Sequence, residues 1–235
     1  MTNIIQEQIE YYRARANEYD EWFYRIGRYD RGTEINQAWF NEVAVLKREL
    51  HQVGVVENIL ELACGTGIWT QELVKLGKKV TALDASLEMI EINRNKLDNT
   101  NIEYRQVDLF AWEPEAEYDL VFFSFWLSHV PPALLNSFLT KVYQSVRIGG
   151  KAFIIDSRFE QTSTAKNHIL DKNGNICINR KLNDGREFNI LKIFYQPEQL
   201  QEHLLQVGFQ ADVKVTDKYF IYATGIKAEE KKKPR

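Results

Sequence analysis

From residue 58 to residue 156 the chain alternates short β-rich runs with longer segments of helical pattern. This alternation is typical of βαβ units, in which helices connect the strands of a parallel sheet. The fourth run is continuously apolar, as in a central strand that is covered on both faces. The predicted parallel strands are, in chain order, 58–63, 79–83, 102–107, 118–123 and 151–155.

After the fifth strand the sequence carries antiparallel signals. Two β-rich runs, 176–182 and 187–195, flank the turn sequence Asn-Asp-Gly-Arg and predict an inserted hairpin. A helix is expected to begin at Pro197, because proline favours the first helical position. The runs 210–215 and 218–223 that follow predict an antiparallel pair at the end of the sheet.

These elements predict an α/β fold: a Rossmann-like, doubly wound sheet of seven strands, mostly parallel, with an antiparallel last strand. We expect a single domain over residues 1–227. Within it, 1–50 form a helical lid rich in aromatic rings, 58–156 the cofactor-binding core and 173–195 a hairpin flap. The polar, lysine-rich residues 228–235 are expected to be a disordered tail.

Charge and cysteine content exclude several classes of protein. The chain has 30 Lys and Arg against 33 Asp and Glu, so it has no broad basic field that would attract a nucleic acid. Its only cysteines, Cys64 and Cys177, provide neither a disulfide framework nor a cysteine-rich metal cluster. No signal-peptide pattern or membrane-spanning apolar stretch is present. We therefore expect a cytoplasmic monomer or homodimer without metal, membrane or nucleic-acid partners.

The ends of the first three predicted strands form a candidate ligand site. Glu61 closes the first strand, and Gly65 and Gly67 in the following loop allow the backbone to approach a ligand closely. Asp84 ends the second strand, close to the spacing of about 20 residues at which an acidic side chain reaches ribose hydroxyls. Asp108 ends the third strand, where a carboxylate can accept a hydrogen bond from an adenine amine. An adenosine-containing ligand is therefore predicted.

The loop after the first strand indicates which adenosine compound binds. A dinucleotide fingerprint needs a third glycine for close helix packing, and Trp69 and Thr70 occupy that region here. The acidic Glu61 and the backbone carbonyl of Ala63 suit an ammonium and a sulfonium better than phosphates. S-adenosylmethionine (SAM) is therefore favoured, and a nicotinamide-dependent oxidoreductase is disfavoured.

The segments ELACGTG, LDAS, VDLF, YDLVFFSFWLSHVPP and GGKAFIID resemble the motifs of class I SAM-dependent methyltransferases, from residue 58 to about residue 156. The resemblance implies that the first motif and the acids after strands two and three hold SAM, with S-adenosylhomocysteine (SAH) as product. Ala63 stands where the first motif often has glycine. The assigned cofactor-binding residues are Tyr19, Tyr24, Glu61, Ala63, Gly65, Gly67, Asp84, Ala85, Met89, Asp108, Leu109, Phe110 and Ser124.

Methyl transfer from a sulfonium is an in-line displacement, so the enzyme mainly aligns the acceptor. A neutral acceptor must also lose a proton, whereas a carboxylate or thiolate needs no base. His129, after the fourth strand, is the candidate base. Asp156 and Arg158, after the fifth strand, are candidates for orienting a polar acceptor. A purely structural role is the alternative for all three residues.

The flap and the lid add further candidates. Arg180, Lys181 and Arg186 in the flap could receive an acidic group of the substrate, although hairpin charges usually face water. Tyr19 and Tyr24 in the lid could cover the cofactor and the acceptor, or simply pack on the sheet.

The segment after the fourth strand, residues 124–127, lacks an Asn/Asp-Pro-Pro-aromatic motif, which would indicate a resemblance to nucleobase amino-methyltransferases. A small-molecule acceptor beneath the lid and the flap is therefore expected, with O-methylation favoured. N- or S-methylation of a small metabolite, and a SAM-binding module without catalysis, remain alternatives.

Overall fold

The structure, a computed structural model, describes residues 2–98, 100–170 and 176–229. In chain order its strands are β1 (Val56–Leu62), β2 (Gly77–Asp84), β3 (Ile102–Gln106), β4 (Tyr118–Ser124), β5 (Val146–Ser157), β6 (Cys177–Lys181), β7 (Glu187–Leu191), β8 (Gln210–Val215) and β9 (Phe220–Ile226). The α-helices are α1 (Thr2–Arg15), α2 (Tyr19–Phe23), α3 (Thr33–His51), α4 (Thr70–Leu73), α5 (Leu87–Leu97), α6 (Pro132–Ser145) and α7 (Pro197–Gln206).

Seven strands form the main sheet, in the order β3-β2-β1-β4-β5-β9-β8. Strands β1 to β5 pair in parallel, and β9 is antiparallel to both β5 and β8. This confirms the predicted fold class, including the antiparallel last strand. The strand order reverses between β1 and β4, so a crevice opens at the carboxyl ends of these two strands, where ligands bind in doubly wound sheets.

The central strands are buried because helices cover both faces of the sheet. Leu60 and Val121 belong to an apolar cluster that includes Phe138 of α6 and Leu204 of α7. Alternate residues of the same strands, such as Phe122, belong to a second cluster with residues of α3. The uninterrupted apolar run of β4 in the sequence, residues 120–123, follows from this burial on both faces.

Some predicted boundaries differ from the structure. The fifth strand, predicted over 151–155, begins earlier in the structure: β5 starts at Val146 and includes Gly149 and Gly150, where Gly149 has a φ of +76° and the pairing with β4 shifts register. A bulge thus accommodates the glycines, and the strand continues. Between β1 and β2, where the alternating pattern predicts a longer helix, α-helix forms only over Thr70–Leu73. The division into lid, core and flap stays a prediction, and tail residues 230–235 and flap residues 173–175 lie outside the described residues.

Helix α1 and the β6–β7 hairpin pack on each other. Tyr11 of α1 forms a small apolar cluster with Leu182 and Ile190, and its ring lies 5.7 Å from that of Phe188. The side chain of Gln8 donates to the backbone carbonyl of His129, just after β4. These contacts place the helix and the hairpin beside the carboxyl end of the sheet. Within the described residues, no helix combines the length and the apolarity needed to cross a membrane.

Candidate functional site

A pocket open to solvent, here called the first cavity, lies at the carboxyl ends of β1 to β4 and has about 660 Å³ of space including its mouth. Its lining contains the predicted residues Tyr19, Ala63, Gly65, Asp84, Ala85, Met89, Asp108, Leu109, Phe110 and Ser124. It also contains Gln8, Ile9, Tyr12, Ser86, Phe125 and Trp126, which the sequence analysis did not predict. The structure therefore brings most of the predicted cofactor residues into one space. Their contacts with a cofactor stay a prediction.

The loop between β1 and α4 leaves room for a ligand at Gly65. This residue has a φ of +52°, and a Cβ atom built there would meet no protein atom within 4 Å. Gly67 has a different role, because a Cβ there would lie 2.5 Å from the side-chain oxygen of Asn93. Gly65 thus keeps space open in the first cavity, whereas Gly67 allows close packing on α5.

Ala63 has a left-handed backbone, with a φ of +54°. This is the position at which the motif of the resembling family often has glycine. A non-glycine residue in this region carries about 1–3 kcal/mol of strain. The alanine therefore keeps the shape of the turn at a modest cost in stability.

Two carboxylates lie at one edge of the first cavity. Asp84 accepts hydrogen bonds from the backbone N–H groups of Gly65 (2.9 Å) and Ser86 (2.8 Å). Burial raises the pKa of Asp84, and these N–H groups oppose that shift. Asp108 accepts from the backbone N–H of Phe110 at 2.9 Å. Since each carboxylate oxygen has two lone pairs, both side chains can still accept hydrogen bonds from a ligand.

Glu61, Gly67 and Tyr24 do not line the first cavity. Tyr24 is 43% exposed, at the end of α2. Glu61 is buried, and its Oε2 atom has no hydrogen-bond partner among the described residues. Burial raises the pKa of Glu61 to about 8, although a hydrogen bond with Thr70 opposes the shift. Without a ligand, this side chain is therefore mostly a neutral acid at pH 7.

The raised pKa of Glu61 predicts a pH-dependent stability. Between about pH 4.5 and pH 8 the unfolded chain loses this proton while the folded chain keeps it, so the contribution of Glu61 to stability falls as pH rises. We expect the melting temperature of Glu61→Gln, relative to wild type, to rise from pH 5 to pH 8 without ligand. Glu57→Gln, at an exposed position of the same strand, is the control. If the melting temperatures of wild type and Glu61→Gln changed equally with pH, the result would contradict the raised pKa of Glu61.

A second cavity, with about 570 Å³ of space including its mouth, meets the first one. Tyr12, Tyr19 and Phe125 line both cavities. Phe125 has a left-handed φ of +54°, and its backbone N–H donates to the carbonyl of Ile155. The remaining residues that line the second cavity are Tyr11, Arg15, Trp22, Tyr29, His129, Ser157, Ser163, Thr164, Leu170, Arg180, Ile190, Lys192 and Phe194.

His129 lines the second cavity and uses both ring nitrogens inside the protein. Nδ1 faces the carbonyl of Leu191, and Nε2 lies 2.7 Å from the hydroxyl of Tyr12. Because a carbonyl only accepts, Nδ1 carries the proton and Nε2 accepts from Tyr12. Burial, together with the charge of Lys192, lowers the pKa of His129 well below its usual value. Its role as a catalytic base stays a prediction.

Asp156 is buried behind the second cavity and lines neither cavity. It accepts from the backbone N–H groups of Ser128 and Ser157 and from Nζ of Lys192, at 3.1 Å. Asp156 therefore holds Lys192 at the cavity wall. Arg158 instead donates to backbone carbonyls of the turn between β8 and β9.

The three flap cations lie in different surroundings. Arg180 lines the second cavity. Lys181 pairs with Glu187 and Arg186 with Asp184 in half-exposed ion pairs. Only Arg180 of these three is therefore placed to receive an acidic group in that cavity.

Comparisons with known proteins agree with this geometry. Residues 59–150 match a family model described as a methyltransferase domain. The fold is similar to the structure of a DhpI–SAH complex, with 34% identity, a TM-score of 0.77, and coverage of 98% of this chain and 100% of that one. A DhpI–SAM–HEP complex is similar at 37% identity, with a TM-score of 0.76 and coverage of 94% and 97%.

Curated relatives are similar over different parts of the chain. Malonyl-[acyl-carrier protein] O-methyltransferase 1 of Ilyobacter polytropus is 41% identical over 68 residues, which is 28% of this chain and 25% of that protein. The chain thus spans about a quarter of that relative. The ubiquinone biosynthesis O-methyltransferase of Xanthomonas axonopodis pv. citri is 28% identical over 215 residues, covering 90% of this chain and 83% of that protein.

Proposed function

Because the chain belongs to the SAM-dependent methyltransferases, we propose that it transfers the methyl group of SAM to an oxygen of a small molecule in the second cavity. The observation that carries the proposal is the meeting of the two cavities at Tyr12, Tyr19 and Phe125. A donor in one cavity and an acceptor in the other would face each other across these three rings. Such alignment is the main requirement for an in-line displacement.

The first cavity fits the cofactor. In this proposal Asp84 accepts hydrogen bonds from the ribose hydroxyls, Asp108 accepts from the adenine amine, and Leu109 and Phe110 flank the adenine ring; all four residues line the first cavity. The open space at Gly65 allows the backbone to approach the ligand closely. When bound, SAM supplies a methyl group on a positively charged sulfur. That DhpI has been solved with SAM and with SAH supports this choice of cofactor.

The second cavity supports a small acceptor and catalysis. It lies beneath α1 and the β6–β7 hairpin, which leaves little room for a polymer. The proposal therefore includes no nucleic-acid acceptor, and it describes a cytoplasmic monomer or homodimer. Oxygen is the favoured atom because the curated relatives are named as O-methyltransferases. A module that only binds SAM would not need the second cavity.

The proposal is tested with SAM that carries a ¹³C-methyl group. We expect SAH to accumulate with a suitable small acceptor, and the labelled product to show the chemical shift of an O-methyl group. A label on nitrogen or sulfur would support the alternative acceptors instead. Tight SAM binding without SAH release, across oxygen, nitrogen and sulfur acceptors, would contradict an enzymatic role.

A further inference from the structure

Within residues 2–98, 100–170 and 176–229, three cationic side chains line the second cavity and no acidic side chain does. They come from separate parts of the chain: Arg15 from the end of α1, Arg180 from β6, and Lys192 from the residue after β7. Arg15 and Lys192 are each only 8% exposed. The fold thus gathers positive charge in a largely buried space.

The charge of Lys192 is matched by a carboxylate, whereas no carboxylate in the described part of the chain matches the charges of the two arginines. Lys192 pairs with Asp156 and donates to the hydroxyl of Ser128. Arg15 donates to the hydroxyl of Tyr29 at 3.3 Å, and its Nε atom has no hydrogen-bond partner in the part of the chain that the structure describes. Arg180 donates to the hydroxyl of Thr164 at 2.7 Å and contacts Nδ1 of His168.

Among the residues that the structure describes, no carboxylate forms an ion pair with Arg15 or Arg180. The guanidinium of Arg15 instead lies over the rings of Tyr11, Tyr19 and Tyr29, at 4.9–5.9 Å from their centroids. Because the Lys192–Asp156 pair has no net charge, the residues that the structure describes give the cavity a net charge of about +2, from Arg15 and Arg180. Burial lowers the pKa of Arg180, and the charge of Arg15 adds to this effect.

Unpaired buried charges are costly, so this arrangement favours an anion as the ligand. Guanidinium groups bind carboxylates and phosphoryl groups through pairs of parallel hydrogen bonds. Two guanidiniums match a group with two negative charges and three oxygens better than a carboxylate, which has one charge and two oxygens. The tyrosine hydroxyls add further polar contacts around the same space.

We infer that the acceptor carries a doubly charged tetrahedral oxyanion, as in a phosphate monoester or a phosphonate, held by Arg15 and Arg180, and that one oxygen of this group receives the methyl. This inference rests on the proposed function. The oxygen lone pair forms a bond to the methyl carbon, and the carbon–sulfur bond breaks with its electron pair left on sulfur. The dianion becomes a monoanionic methyl ester, and the sulfonium becomes a neutral thioether.

This chemistry needs no proton acceptor, because the attacking oxygen is already ionised. The surroundings of His129 agree with that requirement. Both ring nitrogens are engaged, by Leu191 and Tyr12, and the cations Lys192, Arg180 and Arg15 oppose a positive charge on the ring. The arrangement thus favours an anionic acceptor over a neutral alcohol that must lose a proton.

The binding test uses the SAH-saturated protein in calorimetric titrations at pH 8.5. We expect ethylphosphonate and ethyl phosphate to bind, propionate to bind at least about tenfold more weakly, and 1-propanol not to bind. The relative affinities of ethylphosphonate and ethyl phosphate decide which of the two anion sources the site prefers.

Three variants locate the oxyanion site. Arg15→Gln and Arg180→Gln should each weaken binding of the preferred anion by about tenfold or more. Arg186→Gln is the matched control, because Arg186 lies in the same hairpin and pairs with Asp184 in a half-exposed position. Its anion affinity should stay within about twofold of wild type. A normal affinity for SAH verifies that a variant is folded. If Arg15→Gln does not fold, the anion affinity of Arg180→Gln alone tests the inference.

Turnover separates failure of this inference from failure of the proposed function. With SAM, we expect SAH release to accompany a methyl ester of the oxyanion, detected by ³¹P NMR. Equal anion affinity of Arg180→Gln and Arg186→Gln, or binding of 1-propanol as tight as that of the anions, would overturn the inference. SAH release with neutral or carboxylate acceptors alone would overturn it too, but would leave the proposed function intact. Absence of SAH release with every acceptor would overturn the proposed function itself.

Discussion

Replacing Asp84 by alanine is expected to weaken SAM binding by about 10- to 150-fold, the range for losing a hydrogen bond to a charged group. The carboxylate lines the first cavity, and the proposed role of this side chain is to accept hydrogen bonds from the ribose hydroxyls. It also accepts from the backbone N–H of Gly65, so its removal loosens the loop that borders the ligand. Calorimetric titration of the variant with SAM measures the effect.

Asp212→Ala is the matched control for this experiment. Asp212 is an exposed aspartate on β8, where it pairs with Lys214, and it does not line the first cavity. Its removal should leave the Kd for SAM within about twofold of wild type. A Kd for Asp84→Ala as low as that of Asp212→Ala would show that Asp84 does not contact the cofactor.

Replacing Gly65 by valine is expected to weaken SAM binding by more than about 100-fold, because the new side chain would occupy part of the first cavity. A Cβ atom at this position meets no protein atom within 4 Å, so the fold itself leaves room for it. The left-handed backbone, with a φ of +52°, adds about 1–3 kcal/mol of strain. Titration with SAM and thermal unfolding without ligand separate the two effects.

Gly54→Val serves as the control for backbone strain. Gly54 also has a left-handed backbone, with a φ of +82°, and open space around its Cβ position, but it lies before β1 and away from the first cavity. Both variants should lose a similar amount of thermal stability, while only Gly65→Val loses SAM affinity. Normal SAM binding by Gly65→Val would contradict the assignment of Gly65 to the cofactor site.

The residues proposed to bind the cofactor could be grouped from the sequence, because they follow the ends of predicted strands. Parallel strands bring their carboxyl ends to one edge of a sheet, so Gly65, Asp84 and Asp108 could be grouped once the strands were recognised. The same reasoning could not place Glu61, whose side chain is buried outside the lining of the first cavity. Strand-end position predicts the edge of the sheet on which a residue lies, but not the direction of its side chain.

The second cavity was harder to predict from the sequence, because its lining residues lie far apart in the chain. Arg15 and Lys192 carry no local signal in the sequence: a buried arginine and an exposed one look alike in composition and spacing. Arg180 was considered as an anion receptor, yet hairpin charges usually face water, and nothing in the sequence separated it from Arg186. The packing of α1 on the β6–β7 hairpin made that distinction.

The sequence by itself determined the doubly wound sheet, the antiparallel last strand and the nucleotide-binding edge, because hydrophobic periodicity and glycine-containing turns are local properties of the chain. Only the tertiary structure decided which lid and hairpin side chains meet at the second cavity, and how much positive charge it holds. The physical reason is that burial and charge pairing depend on contacts between distant segments, such as Arg15 and Arg180, that no local pattern encodes.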